Sequence, residues 1–190
     1  MLPWSPWNES PAMPRLLPCL AVLLPLVGCT GLPTGTQAVS DFDLERYLGT
    51  WYEIARLDHR FERGLDCVTA DYALREDGQI RVRNRGVDLD SGEVDEAEGR
   101  AEPVGAVDRG RLKVSFFGPF YGGYNVLALD DDYRWSLVAG PNRDYLWILA
   151  RTPTLDAATY AALVDEAAAL DFPVEALIEV EQGDACAPYR

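Results

Sequence analysis

The sequence predicts an all-β chain, an eight-stranded antiparallel up-and-down barrel with one C-terminal α-helix packed on its outside. Three observations predict it. Strand-length windows rich in aromatic and β-branched residues recur about every dozen residues between Thr50 and Arg151, each bounded by a turn signal. The connections between them are short, which makes consecutive strands antiparallel neighbours. After Arg151 the apolar period changes from that of a strand to that of a helix.

In chain order, a helical turn over residues 42–48, opened by Asp41, leads into a first strand at 50–57. Strands at 68–75 and 79–89 are joined across Glu76-Asp77-Gly78, a hairpin signal. In the second of these, Ile80 and Val82 alternate with Arg81, Arg83 and Arg85, so one face is wet; the three arginines read as a solvated outer face rather than a docking site. A strand at 94–102 follows Asp90-Ser91-Gly92, and one at 111–116 alternates Leu112, Val114 and Phe116 with polar residues. Strands at 124–129, 133–139 and 145–151 complete the set. Thr154 is placed to cap a helix over 155–170, where Leu155, Ala158, Ala162, Leu163, Ala167 and Leu170 recur at helical spacing.

Two runs indicate what the barrel is for. Leu48-Gly49-Thr50-Trp51-Tyr52-Glu53-Ile54-Ala55-Arg56 carries a Trp just after a Gly, and Asp144-Tyr145-Leu146-Trp147-Ile148-Leu149-Ala150-Arg151 ends on an Arg. A Trp plugging one end, with a guanidinium stacked on its outer face, would shut that end against water and leave a cup. Eight strands leave room for side chains or for one small ligand. With Trp51 turned inward, alternation puts Glu53 and Ala55 on its face, and Trp147, Leu149 and Arg151 on one face of the last strand. The same reasoning turns Val114, Phe116, Tyr124, Val126, Trp135 and Leu137 toward the lumen, as ligand-binding candidates with Trp147 and Leu149. Such an aromatic-lined cup suits an acyl chain, each buried CH₂ contributing about 0.8 kcal/mol. Core packing is the competing role for Trp147 and Tyr124. An inward Glu53 needs a hydrogen-bond partner or a raised pKa.

Gly49-Thr50-Trp51-Tyr52 resembles the G-x-W-Y signature of the lipocalins, and Arg151 matches the Arg that ends their last barrel strand. Phe61-Glu62-Arg63-Gly64, the run 113–126 and the run 144–151 narrow the resemblance to the bacterial lipocalins, outer-membrane lipoproteins of Gram-negative bacteria related to apolipoprotein D. It covers about residues 42–180. It implies a lipocalin barrel closed by Gly49, Trp51 and Arg151, and a cup that binds fatty acids or lysophospholipids for storage or membrane maintenance under stress.

Residues 16–27 are apolar, interrupted by Pro18 and Pro25 and preceded by Arg15. That is too short to span a bilayer and suits a signal peptide. Leu26-Val27-Gly28-Cys29 fits the lipobox of bacterial lipoproteins, so residues 1–28 read as a lipoprotein signal, with Met13 an alternative start, and Cys29 as the acylated N-terminus. Residues 29–40, rich in Gly, Pro and Thr, read as a lipidated tether, and 41–190 as the folded domain. Thr30 rather than Asp after the anchor implies, by resemblance, the outer membrane. Of the four cysteines, Cys19 falls in the signal and Cys29 carries lipid. An envelope chain with Cys67 and Cys186 remaining favours one disulfide; apolipoprotein D-like lipocalins place a similar bridge, whereas close bacterial forms often lack it, and two free thiols is the alternative.

The charge of −14, from 17 basic and 31 acidic residues, argues against coating nucleic acid or anionic headgroups by charge, so that adhesion to the outer membrane falls to the lipid anchor. His59 is the sole His, which argues against His-based triads and any multi-His metal site. Asp130-Asp131-Asp132 reads as a solvated turn first and a calcium site second. No catalytic residue, metal or cofactor is indicated. The aromatic segment 116–123 is either a membrane-facing or homodimerising lip at the mouth, or a tight hairpin with its rings folded inward. An enzyme acting on a lipid-like substrate and a ligandless structural lipoprotein are the alternative functions.

Overall fold

The computed structural model describes residues 30–190, so the signal segment and Cys29 lie outside the described residues. A short helix α1 (Leu44–Tyr47) is capped by Asp43, whose side chain accepts from the Arg46 N–H. Eight strands follow in sequence: β1 (Gly49–Leu57), β2 (Asp66–Leu74), β3 (Ile80–Asp88), β4 (Glu93–Pro103), β5 (Arg111–Phe117), β6 (Phe120–Leu129), β7 (Trp135–Ala139) and β8 (Leu146–Ala150). Each pairs antiparallel with the next, β8 returns to β1, and β1 pairs with β2, which closes the barrel. Closure pairs β2 back to β1 and so removes most of the exposed edge that an open all-β sheet would carry.

Helix α2 (Ala157–Ala169) packs on the outer wall as expected, but Asp156 rather than Thr154 caps it, through a bond from Thr159 N at 2.9 Å. A carboxylate at this position also suits the positive end of the helix. Strand β9 (Leu177–Glu179) was not anticipated, because three residues carry no readable alternation. It pairs antiparallel with Ala55–Leu57 of β1, while β2 pairs only with Gly49–Tyr52. The C-terminal segment therefore takes the place of β2 where β1 and β2 splay apart. Gln182 holds this seam, its buried Nε2 donating to the carbonyls of Glu53 at 3.0 Å and Val68 at 2.8 Å. Cys67 is bonded to Cys186, fixing the tail across 119 residues of sequence; such closures stabilise by about 2–4 kcal/mol.

Two apolar clusters result. One fills the barrel around Trp51, Val82, Val126 and Leu149. The other lies between the outer wall and α2, with Leu137, Ala139, Leu146 and Ile148 against Leu163, Ala167 and Phe172.

Residues 30–40 do not form a free tether. Val39 donates its N–H to Val126 O at 2.9 Å and accepts from Gly110 N at 3.0 Å, Asn125 Nδ2 donates to Gly31 O at 3.0 Å, and Arg143 donates to Thr34 O at 2.8 Å. Leu32 joins the outer cluster. Glycine and proline read as linker composition, but here they let a short chain turn along the wall.

Candidate functional site

The base of the cup is built from α1, the start of β1 and the end of β8. Trp51 is fully buried, and its indole N–H donates to Tyr47 O at 2.8 Å. The Arg151 guanidinium stacks 3.9 Å from the Trp51 ring, and its nitrogens donate to the carbonyls of Arg46 at 2.7 Å and Thr50 at 3.0 Å. Gly49 has φ +92°, and a Cβ there would meet the Arg151 guanidinium at 3.4 Å, so glycine serves both the turn and the close approach. These contacts seal the base as a cation–π lid over a satisfied indole.

Above the lid lies a layer of hydroxyls. Tyr47 Oη is 2.7 Å from Tyr124 Oη and 3.1 Å from Ser136 Oγ, and Tyr72 Oη donates to Tyr124 Oη at 3.0 Å. Burial raises all three phenols, Tyr47 to about 12, so they stay protonated as donors.

Toward the mouth the inner face opens. Along three strands burial falls toward the mouth, from Leu112 to Val114 and Phe116, from Val126 to Tyr124, and from Leu149 to Trp147, while Val138, opposite Trp147, stays buried. Small residues face Phe116: a Cβ on Gly99 would lie 2.8 Å from the Phe116 ring. Ala97, two residues on along β4, is exposed. The inner side chains are thus buried at the base and partly exposed nearer the mouth.

One wall of the mouth carries a buried polar cluster. Glu53 pairs with Arg56 at 2.8 Å, and Arg56 also donates to the carbonyls of Glu62 at 2.7 Å and Leu65 at 2.9 Å. Glu62 Oε2 lies 3.1 Å from His59 Nε2 and accepts from Trp147 Nε1 at 3.2 Å. Burial, reinforced by the Glu62 charge and opposed by Arg56, holds Glu53 well above the carboxylate range. Burial would raise Glu62 too, but His59, Trp147 and Arg56 together bring it below its ordinary value. The indole of Trp147, T-shaped against His59 at 5.2 Å, joins this cluster to the lumen.

The structure thus brings Val114, Phe116, Tyr124, Val126, Trp147 and Leu149 onto the inner face, and does not bring Trp135 and Leu137 there. Both belong to the outer cluster beneath α2, while Ser136 and Val138 point inward. Because α2 covers the outside of β7, its outward residues Trp135, Leu137 and Ala139 are apolar while the inward face carries Ser136, so its alternation points the wrong way. Ala55 also moves outward: a bulge between Glu53 and Ala55 in the pairing with β8 reverses the parity of β1. The same bulge turns Arg56 inward to meet Glu53, a partnership alternation could not show. His59, Glu62 and Tyr47 likewise carry no pattern in the sequence that marks them as site residues; only the resemblance singles out Phe61-Glu62-Arg63-Gly64. In the turn at Asp130, both carboxylate oxygens accept from Arg134 at 2.8 Å, an arrangement for closing a turn.

The sequence profile of the lipocalin-like domain family matches residues 42–182. The chain is 53% identical over 173 residues to the outer membrane lipoprotein Blc of Escherichia coli K12, covering 88% of this chain and 98% of that protein. It is 31% identical to bovine apolipoprotein D, over 88% of this chain and 96% of the relative. Among solved structures, insecticyanin from the tobacco hornworm Manduca sexta superposes with a TM-score of 0.64 at 24% identity, over 82% of this chain and 89% of that one. That match concerns the fold. The outer-membrane location expected from the sequence is the one named for the Blc relatives. From the sealed base to the profile match, these findings agree that the chain belongs to the lipocalin-like family.

Proposed function

We propose that this protein is a lipid-binding lipoprotein, anchored to the outer membrane through acylated Cys29, which holds one fatty acid or lysophospholipid in its cup for storage or membrane maintenance. The observation that carries this reading is the gradient along the inner face: buried side chains below, partly exposed Val114, Phe116, Tyr124 and Trp147 above. An acyl chain laid on these groups removes apolar surface from water at about 25 cal/mol per Å². The polar wall of Arg56, His59 and Glu62 at the mouth supports a ligand whose charged end stays near the rim. Relatives that are outer membrane lipoproteins support the anchor.

Native mass spectrometry of the protein incubated with lysophospholipids tests the proposal. Uptake of one lipid per chain without chemical change is expected. Conversion of the lipid would instead support an enzyme in the same cup, and the absence of uptake would support a structural lipoprotein.

A further inference from the structure

The start of the described chain lies near the mouth rather than the base. A Cβ on Gly123 would lie 2.8 Å from Gly31 O and 3.2 Å from the carbonyl carbon of Thr30, so Thr30 rests on the outer face of β6. Gly123 is three residues from Phe120 at the rim, about 10 Å along a strand. Residues 31–39 are bound to the wall by the contacts of Val39, Gly31 and Thr34 described above. In the sequence, Cys29 directly precedes Thr30. An acyl anchor on Cys29 would thus join the described chain at Thr30, beside the rim.

The rim itself carries exposed aromatics. The β5–β6 hairpin pairs Phe117 with Phe120 at its tip, and these rings are 73% and 78% exposed; Phe61, on the loop between β1 and β2 at the same end, is 57% exposed. Behind the tip, Arg100 donates to Tyr121 Oη at 2.9 Å, and Lys113 lies 4.6 Å from the Tyr121 ring. Glu102 pairs with Lys113 at 3.2 Å, whereas Arg100 makes no ion pair among the described residues. Apolar rings at a tip with an amphipathic Tyr and a cation behind them match the layering of a bilayer interface.

We infer that the barrel rests with its mouth toward the membrane that holds its anchor, the Phe117–Phe120 hairpin dipping into the headgroup layer and Arg100 meeting lipid phosphates. This orientation rests on the proposed acylation of Cys29. It lets a single-chain lipid pass between bilayer and cup without crossing bulk water.

The test uses the intact lipoprotein in phosphatidylethanolamine vesicles containing a minority of phosphatidylglycerol, with its acylation read by mass. Nitroxide labels are placed through Phe120→Cys or Pro119→Cys at the rim and through Asp77→Cys at the β2–β3 turn of the base. At the rim, access to oxygen is expected to rise and access to a water-soluble nickel complex to fall several-fold relative to the base. Rim labels as open to nickel as the base label, in acylated protein, would overturn the orientation while leaving the anchor intact. Loss of access to both reagents at the rim would mean burial against a second copy and would also overturn it. A mass without acyl chains would remove the anchor on which it rests.

Discussion

At the base of the cup, Trp51, Tyr47 and Arg151 meet their partners in one interlocked layer, whereas at the mouth Glu53, Arg56, His59 and Glu62 share a wall with half-exposed rings. Both ends pair an indole with a polar group. At the base the indole N–H is bound to backbone and the ring is covered, so its burial is pure stability. At the mouth Trp147 binds a titratable carboxylate and leaves part of its ring accessible, so its burial is incomplete, as the proposed lipid site requires. The comparison teaches that the same residue type is structural or functional according to whether its surroundings are already complete.

Substitutions can break this contrast. The largest effect is expected from Trp51→Ala, which removes the lid and should cost about 3–5 kcal/mol in a denaturant titration. Leu137→Ala, beneath α2, should cost about 2–5 kcal/mol and leave lipid affinity unchanged, the opposite of what its expected lumen position required. Replacing Cys67 and Cys186 together by Ser should lower stability by about 2–4 kcal/mol and free the C-terminal segment, detectable as faster hydrogen exchange at Gln182. Trp147→Ala should weaken lysophospholipid binding roughly tenfold, about 1.4 kcal/mol, in a calorimetric titration, with a smaller stability loss than Trp51→Ala.

The mouth should also be sensitive to pH. Glu53 holds its proton more tightly when folded than when unfolded, so the folded state binds more protons above the ordinary carboxylate range. Its contribution to stability is therefore complete below that range and lost as pH rises through its raised folded value. Urea midpoints measured across this window should fall less steeply in Glu53→Gln than in the unmodified protein.

The barrel was legible because Gly49-Thr50-Trp51 and the turn-bounded alternation of β3 and β5 depend on local sequence. Half-wet strands declare their faces; Leu112, Val114 and Phe116 could be placed without coordinates. Trp135 and Leu137 could not, since a helix distant in sequence covers β7 and erases the polar side of its pattern. Arg56 was hidden by a bulge, which alters parity without altering composition. Within the expected tether at 29–40, residues 31–39 lie along the wall for a related reason. Their composition suits a linker, and only the carbonyls and N–H groups of Gly110, Asn125 and Val126 opposite them make the segment part of the wall.

The central claim, that a lipid occupies the upper half of the inner face, can be read directly from tryptophan fluorescence with a brominated acyl chain as quencher. Trp147 faces the lumen and Trp135 the outer wall. Saturating lipid should quench the protein, Trp135→Phe should retain that quenching, and Trp147→Phe should lose most of it. Quenching that survives in Trp147→Phe and disappears in Trp135→Phe would place the lipid outside the barrel and contradict the account.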